Sequence, residues 1–340
     1  MRPHDAFQLP TFLTKKILRY GPVFRTSLFG AKVIISADMG LNMEVTKTNH
    51  APGAPKSLAR LFGENNLFVQ SRESHKHVRN LTTQFLGSQG LRLSMIQDID
   101  SLARTHMETG AKNGGLDIKE TTSKARKQMM NLLKETVLKK RASGEQFEEF
   151  FKIIFGEIEG GSQTMSIEEA IEYIFTLFVL ANETTPAVLA ATVKLINDNP
   201  KVKQELRREH ERIVRDKTEK DETDLTGEDY KSMTFTQMLV GSSWAFLVSI
   251  LIQKCTKDPL AFNPWRWEGK DLRGILSRTY MSFGVGSRLC LGAEFAKLQM
   301  SIFIHHLCRY RWSMKTETTV LRRFILMFPR GSDIQISEDT

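Results

Sequence analysis

Within ten positions, Phe283-Gly284-Val285-Gly286-Ser287-Arg288-Leu289-Cys290-Leu291-Gly292 sets three glycines, a phenylalanine, an arginine and a cysteine at fixed spacing. Average residue usage puts such a pattern in on the order of a few chains per million. Gly284, Gly286 and Gly292 have no Cβ, so the backbone can turn tightly and come close to a flat partner. Phe283 can shield a sulfur from water, and Arg288 is a planar, permanently charged donor for a carboxylate. Ala293–His306 reads as an amphipathic helix. The cysteine therefore stands at a helix N-terminus, where the dipole helps hold a thiolate. A plainer reading is a Gly-rich turn ahead of a helix, with a buried structural cysteine.

The pattern resembles the haem-binding loop of the cytochromes P450. The resemblance implies that Cys290 ligates haem iron as a thiolate, which pushes electron density onto iron and favours O–O cleavage. It also implies that Arg288 pairs with a haem propionate and that Phe283, Gly284, Gly286 and Gly292 shape the cradle.

Other stretches carry the same resemblance. Tyr20-Gly-Pro-Val-Phe-Arg-Thr-Ser-Leu-Phe-Gly30 is similar to the first helix and hairpin of plant members, in the clan of brassinosteroid and triterpenoid oxidases. Pro10–Tyr20 reads as a helix, and Val23–Leu28 with Lys32–Ser36 as a hairpin. His75 and Arg79 are four apart and share a helix face. They read either as an ordinary basic face or, by resemblance, as further propionate partners.

Thr164–Asn199 is the clearest long helix. Ser166 and Glu169 form a capping box, and Asp198-Asn199-Pro200 stops the apolar run. At 1.5 Å per residue it spans roughly 45–50 Å. Glu183 and Thr184 precede Pro186 inside it, and a proline removes a backbone donor and opens the hydrogen-bond ladder locally. By resemblance this is the oxygen-activating kink, with Glu183 and Thr184 relaying protons. A merely structural kink is the other reading. Lys201–Arg215 reads as a charged helix, Asp216–Asp229 as a polar loop, and Trp312–Ser337 as strands.

The charge balance, 48 Lys+Arg against 39 Asp+Glu, gives +9 and suits an acidic protein partner or an anionic membrane surface. No nucleic-acid motif accompanies it. Three cysteines, Cys255, Cys290 and Cys308, argue against a disulfide framework. No apolar run reaches the roughly 20 residues a bilayer requires.

The resemblance also breaks. The interval Leu239–Lys257 contains neither Glu nor Arg where the family carries its Glu-x-x-Arg helix. Glu205-x-x-Arg208 and Glu209-x-x-Arg212 have that spacing but read as solvated helix pairs. Phe262-Asn263-Pro264-Trp265-Arg266-Trp267 resembles the family's meander, so Arg266 is expected to lose its usual carboxylate. Trp244–Ile252 reads as foreign sequence, and Leu239–Lys257 is expected to be irregular. Without the Glu-x-x-Arg helix and the middle helices, the long helix is expected to lose packing partners along part of its apolar face. A second gap falls near 124–125.

The expectation is a mainly α, incomplete cytochrome P450 fold with a small β portion, in one partial domain over 1–340. The resemblance implies a haem monooxygenase acting on a lipophilic, sterol- or triterpenoid-like substrate, with electrons from an NADPH-dependent reductase. It places the protein on the cytosolic face of the endoplasmic reticulum, or in the cytoplasm for a chain without an anchor. The competing expectation is a non-catalytic remnant that binds haem weakly or not at all.

Overall fold

The computed structural model describes residues 4–8, 10–28, 31–47, 75–76, 79–80, 82–83, 89–117, 167–248, 261–269, 283–284, 286, 289–322 and 326–338. The expected second gap near 124–125, the Ser166–Glu169 capping box and Arg288 lie wholly or partly outside them.

The fold is mainly helical. After a short strand β1 (His4–Asp5) come α1 (Thr11–Tyr20), the hairpin β2 (Val23–Leu28) and β3 (Ala31–Ser36), and α2 (Met39–Lys47). The hairpin pairs in antiparallel register from Val23↔Ser36 to Leu28↔Ala31, as its alternation predicts. Helix α3 (Gln89–Lys112) and strand β4 (Leu116–Asp117) follow.

The centre is α4 (Ile167–Asn197), 31 residues or about 46 Å long. Every residue from Thr185 to Val193 is buried, as are Leu195 and Ile196. Helix α5 (Pro200–Glu219) starts at once, with Pro200 in its first turn, where the missing N–H costs nothing. It buries a stripe of Val202, Leu206, Glu209, His210, Ile213 and Lys217. The expected polar loop at Asp216–Asp229 is shorter than its composition suggests. Helix α5 runs on to Glu219, and α6 (Gly227–Ser232) is nucleated by a capping box between Thr226 and Asp229. Lys217 spans the turn, 3.2 Å from Glu222 and 2.9 Å from Asp229.

The expectation for Leu239–Lys257 is corrected over its described part. Helix α7 (Thr234–Val248) is regular and passes straight through Leu239–Val248. Leu239, Val240, Trp244 and Leu247 are all in the main core with α4. Its apolar residues surround it on all sides, so it reads as foreign to an amphipathic scan and behaves as a buried helix. The described C-terminal half of α4 therefore has partners, while the side chains of much of its N-terminal half lie outside the described residues.

Helix α8 (Ala293–Leu307) buries Met300, Ile302, Phe303, Ile304 and Leu307 against α3, α4 and α7. Strands β5 (Tyr310–Met314), β6 (Leu321–Arg322), β7 (Leu326–Met327) and β8 (Asp333–Glu338) complete two sheets of order β4-β8-β5 and β1-β6-β7. None of the described helices is long and apolar enough to cross a membrane.

Candidate functional site

The cysteine loop turns through Gly284 and Gly286, both in left-handed conformation at φ 77° and 67°. A Cβ on Gly286 would also lie 3.3 Å from the carbonyl of Thr46, the penultimate residue of α2. Gly292 differs. Its φ of −90° is open to any residue, so it serves as the N-cap of α8 rather than as a turn. A Cβ there would meet no protein atom within 4 Å. Two backbone bonds close the loop. The Cys290 N–H donates to the Phe283 carbonyl at 2.8 Å, and the Leu289 N–H to Gly286 at 3.2 Å.

Cys290 is exposed at the head of α8. Crowding by the surrounding protein pushes its thiol up, while the Gly292 N–H, Arg79 and Lys297 pull the other way. Cys308 is a different kind of cysteine. Burial pushes its thiol up to about 12, which keeps it inert. Cys255 lies outside the described residues.

Arg79 reaches the loop, where its guanidinium donates to the Leu289 carbonyl. His75, one helical turn earlier, is buried. Glu183 and Thr184 are exposed on α4. The Thr184 hydroxyl donates to the Leu180 carbonyl of its own helix at 2.9 Å. The helix is continuous across Pro186, so the expected break in the ladder is confined to the one donor proline lacks.

Several supporting residues escaped the sequence reading. Glu209 is not solvated, as its spacing suggested, but only 6% exposed. Its carboxylate caps α7, with Oε1 accepting from Phe235 N–H (2.7 Å) and Oε2 from Thr236 N–H (2.9 Å) and Thr236 O–H (2.6 Å). Glu205 and Arg208 do form an exposed pair, at 3.4 Å. The meander Pro264–Trp267 is a 3-10 turn lying on α7. The Trp267 indole N–H donates to Ser242 Oγ at 2.7 Å, and the Phe235 and Trp265 rings sit 5.1 Å apart. Arg266 donates to the Ala261 carbonyl at 2.6 Å. In the same helix, Trp244 packs on Phe283, with ring centroids 4.6 Å apart.

At the far end of α8 a buried polar chain begins at Glu209. Since Thr236 gives its hydroxyl proton to Glu209, its oxygen must accept from His210 Nε2–H, at 2.9 Å. His210 Nδ1 is then bare and accepts from His305 Nδ1–H, at 3.1 Å. The neighbouring His306 is 2.7 Å from Asp100 of α3, which also holds Arg104 at 2.8 Å. Burial holds His210 down at about 3 and His305 well below the usual histidine range.

A family model described as Cytochrome P450 matches residues 251–333, which include the whole cysteine loop. Cytochrome P450 708A2 of Arabidopsis thaliana is 29% identical, aligned over 99% of this chain and 88% of its own length. A steroid (22S)-hydroxylase of Oryza sativa subsp. indica is 26% identical over 99% of this chain and 84% of its length. The chain is thus similar to cytochromes P450 along nearly its whole length, and its fold is the cytochrome P450 fold. A retinoic-acid-bound cyanobacterial CYP120A1 structure shares the fold, with a TM-score of 0.81 at 16% identity, covering 96% of this chain and 94% of that one. The cofactor of a cytochrome P450 is haem held by a cysteine thiolate. The loop fits such a group: an exposed sulfur, Arg79 and Lys297 acting electrostatically on it, and open space beside Gly292.

Proposed function

We propose that this protein binds haem through Cys290 and descends from monooxygenases of lipophilic, sterol- or triterpenoid-like substrates. The observation that carries the reading is the exposed Cys290 sulfur, served by the Gly292 N–H at the head of α8. Bound haem supplies the dioxygen chemistry. Around it, Arg79, Arg288 and His75 hold the propionates. Phe283 keeps water from the sulfur. The Glu183 carboxyl and Thr184 hydroxyl hold the protons that the reaction draws from the α4 side. Plant relatives titled as steroid and cholesterol 22-hydroxylases support the substrate class.

Lys297, Arg309 and Arg311 are the basic residues proposed to meet an acidic, NADPH-fed reductase at the cytosolic face of the endoplasmic reticulum. Electron transfer through such a contact should weaken steeply with added salt.

A second reading has its own observation. The alignment with the Arabidopsis relative runs over 424 positions, more than the 340 residues present, so the relative carries segments this chain lacks. Helix α7 also offers Ser242, rather than an acid, to Trp267 of the meander. Both support a chain that keeps the haem loop and has reduced or no turnover.

The test is the Soret band of the reduced, CO-bound protein. A thiolate-type band is expected, lost in Cys290→Ser and kept in Cys308→Ser and Cys255→Ser. A band that survives Cys290→Ser would overturn the assignment. A thiolate band without product formation selects the second reading.

A further inference from the structure

We infer that Trp244 is a positioning residue for the cysteine loop, holding Phe283 and helix α8 together so that the Cys290 sulfur keeps its place. This rests on the reading of Cys290 as the haem ligand. The loop is closed by two backbone bonds and turns on two left-handed glycines, which supply no side chain to pack it against the protein.

Trp244 touches both flanks of the loop. Its ring packs against Phe283 at 4.6 Å and 42°, on the entry side. Its indole N–H donates to Met300 Sδ at 3.3 Å, on the helix that leaves the loop. Phe283 is in turn the residue whose carbonyl accepts the Cys290 N–H. Lys297 stands over the same phenyl ring at 5.3 Å. Trp244 is 8% exposed and Met300 is fully buried, so the clamp works in a dry setting where a large aromatic contributes most.

The base of the clamp is rigid. Helix α7 is capped by the buried Glu209 and packed along α4. Removing the indole would leave a cavity between the ring of Phe283 and the side chain of Met300, and the loop would be free to drift into it.

The test uses the full chain with Trp244→Ala, Trp244→Leu and Trp244→Phe. Hydrogen exchange in the 283–292 segment reads the loop without any cofactor. Trp244→Ala should speed it by about tenfold or more while the β2–β3 hairpin keeps its protection; Trp244→Phe should stay within about threefold of wild type. On haem-loaded protein, the share of thiol-type over thiolate-type Soret band at equal haem content should rise in Trp244→Ala and return with Trp244→Phe. A purely structural residue would change haem content or melting temperature without changing that ratio.

Unchanged loop exchange in Trp244→Ala, or equal acceleration in loop and hairpin, overturns the inference. If Trp244→Ala does not fold, Trp244→Leu decides by the same loop-to-hairpin comparison. If wild-type protein binds no haem, the reading of Cys290 fails, while the exchange arm still decides the role of Trp244.

Discussion

At its N-terminal end, helix α8 presents Cys290 in the open, on a loop closed by two backbone bonds and two left-handed glycines. At its C-terminal end, His305 and His306 are 3% and 2% exposed and tied through side chains to α3, α5 and α7. One end leaves a thiol exposed, and the other commits its polar atoms to the fold. Anchoring one end of a helix fixes where the other end presents its side chains.

The largest way to break this comparison is acid. His210 and His305 are neutral in the folded protein and held below their ordinary value of 6.5. His210 is faced by His305, His306 and Thr236, with Glu209 behind. His305 is faced by His210 and His306, with Arg309 and Lys217 adding positive charge. The unfolded chain therefore takes up more protons below pH 6.5. Stability is full above that pH and falls as pH drops toward 3. For His210 the loss by pH 5 is about 2 kcal/mol, and His305, shifted in the same direction, adds to it. Urea midpoints at pH 7.5 and 5.0 read it directly. His305→Phe should make the dependence shallower.

Next comes Glu209→Ala, which strands two buried backbone N–H groups and the Thr236 hydroxyl. A loss of about 3 kcal/mol is expected by urea unfolding, with Glu209→Gln costing about half as much. The same change frees the tautomers of His210 and His305, which imidazole NMR would show as mixed protonation at Nδ1 and Nε2.

The glycines sharpen the other end. Gly286→Ala must take a left-handed φ and press on the Thr46 carbonyl, costing about 1–2 kcal/mol. Gly292→Ala meets open space at φ −90° and should cost about 0.5–1 kcal/mol as a weaker N-cap. Yet its haem content should drop more than that of Gly286→Ala. Equal haem loading in the two variants would show that the Gly292 side is not where the cofactor lies. The smallest effect belongs to Lys297→Ala, whose partner Glu294 is exposed, so the pair should change stability by under about 0.5 kcal/mol.

The sequence made some of this plain. Helix α4 is legible because its apolar run is longer than any loop could be, and the hairpin because its residues alternate. The loop is legible because glycine, arginine and cysteine at that spacing serve one chemistry. Glu209 was hidden because a Glu-x-x-Arg pair on a charged helix looks the same whether or not its acid reaches a neighbouring helix. Helix α7 was hidden because a helix apolar all round has no periodicity to detect. The histidine chain draws its members from four helices, and spacing in sequence says nothing of their meeting.

The strand pairings bear on how the chain is made. His4 and Asp5 pair with Leu321 and Arg322, and β8, one of the last elements, is the middle strand between β4 and β5. Neither sheet can close until residues 321–338 have been made. Helices α4 to α7 can form earlier, since their contacts are near in sequence. Loss of residues 333–338 would remove β8 and leave β4 and β5 each without a neighbour. Damage to this one strand is therefore a defect of assembly, felt more than 200 residues upstream at Leu116 and Asp117.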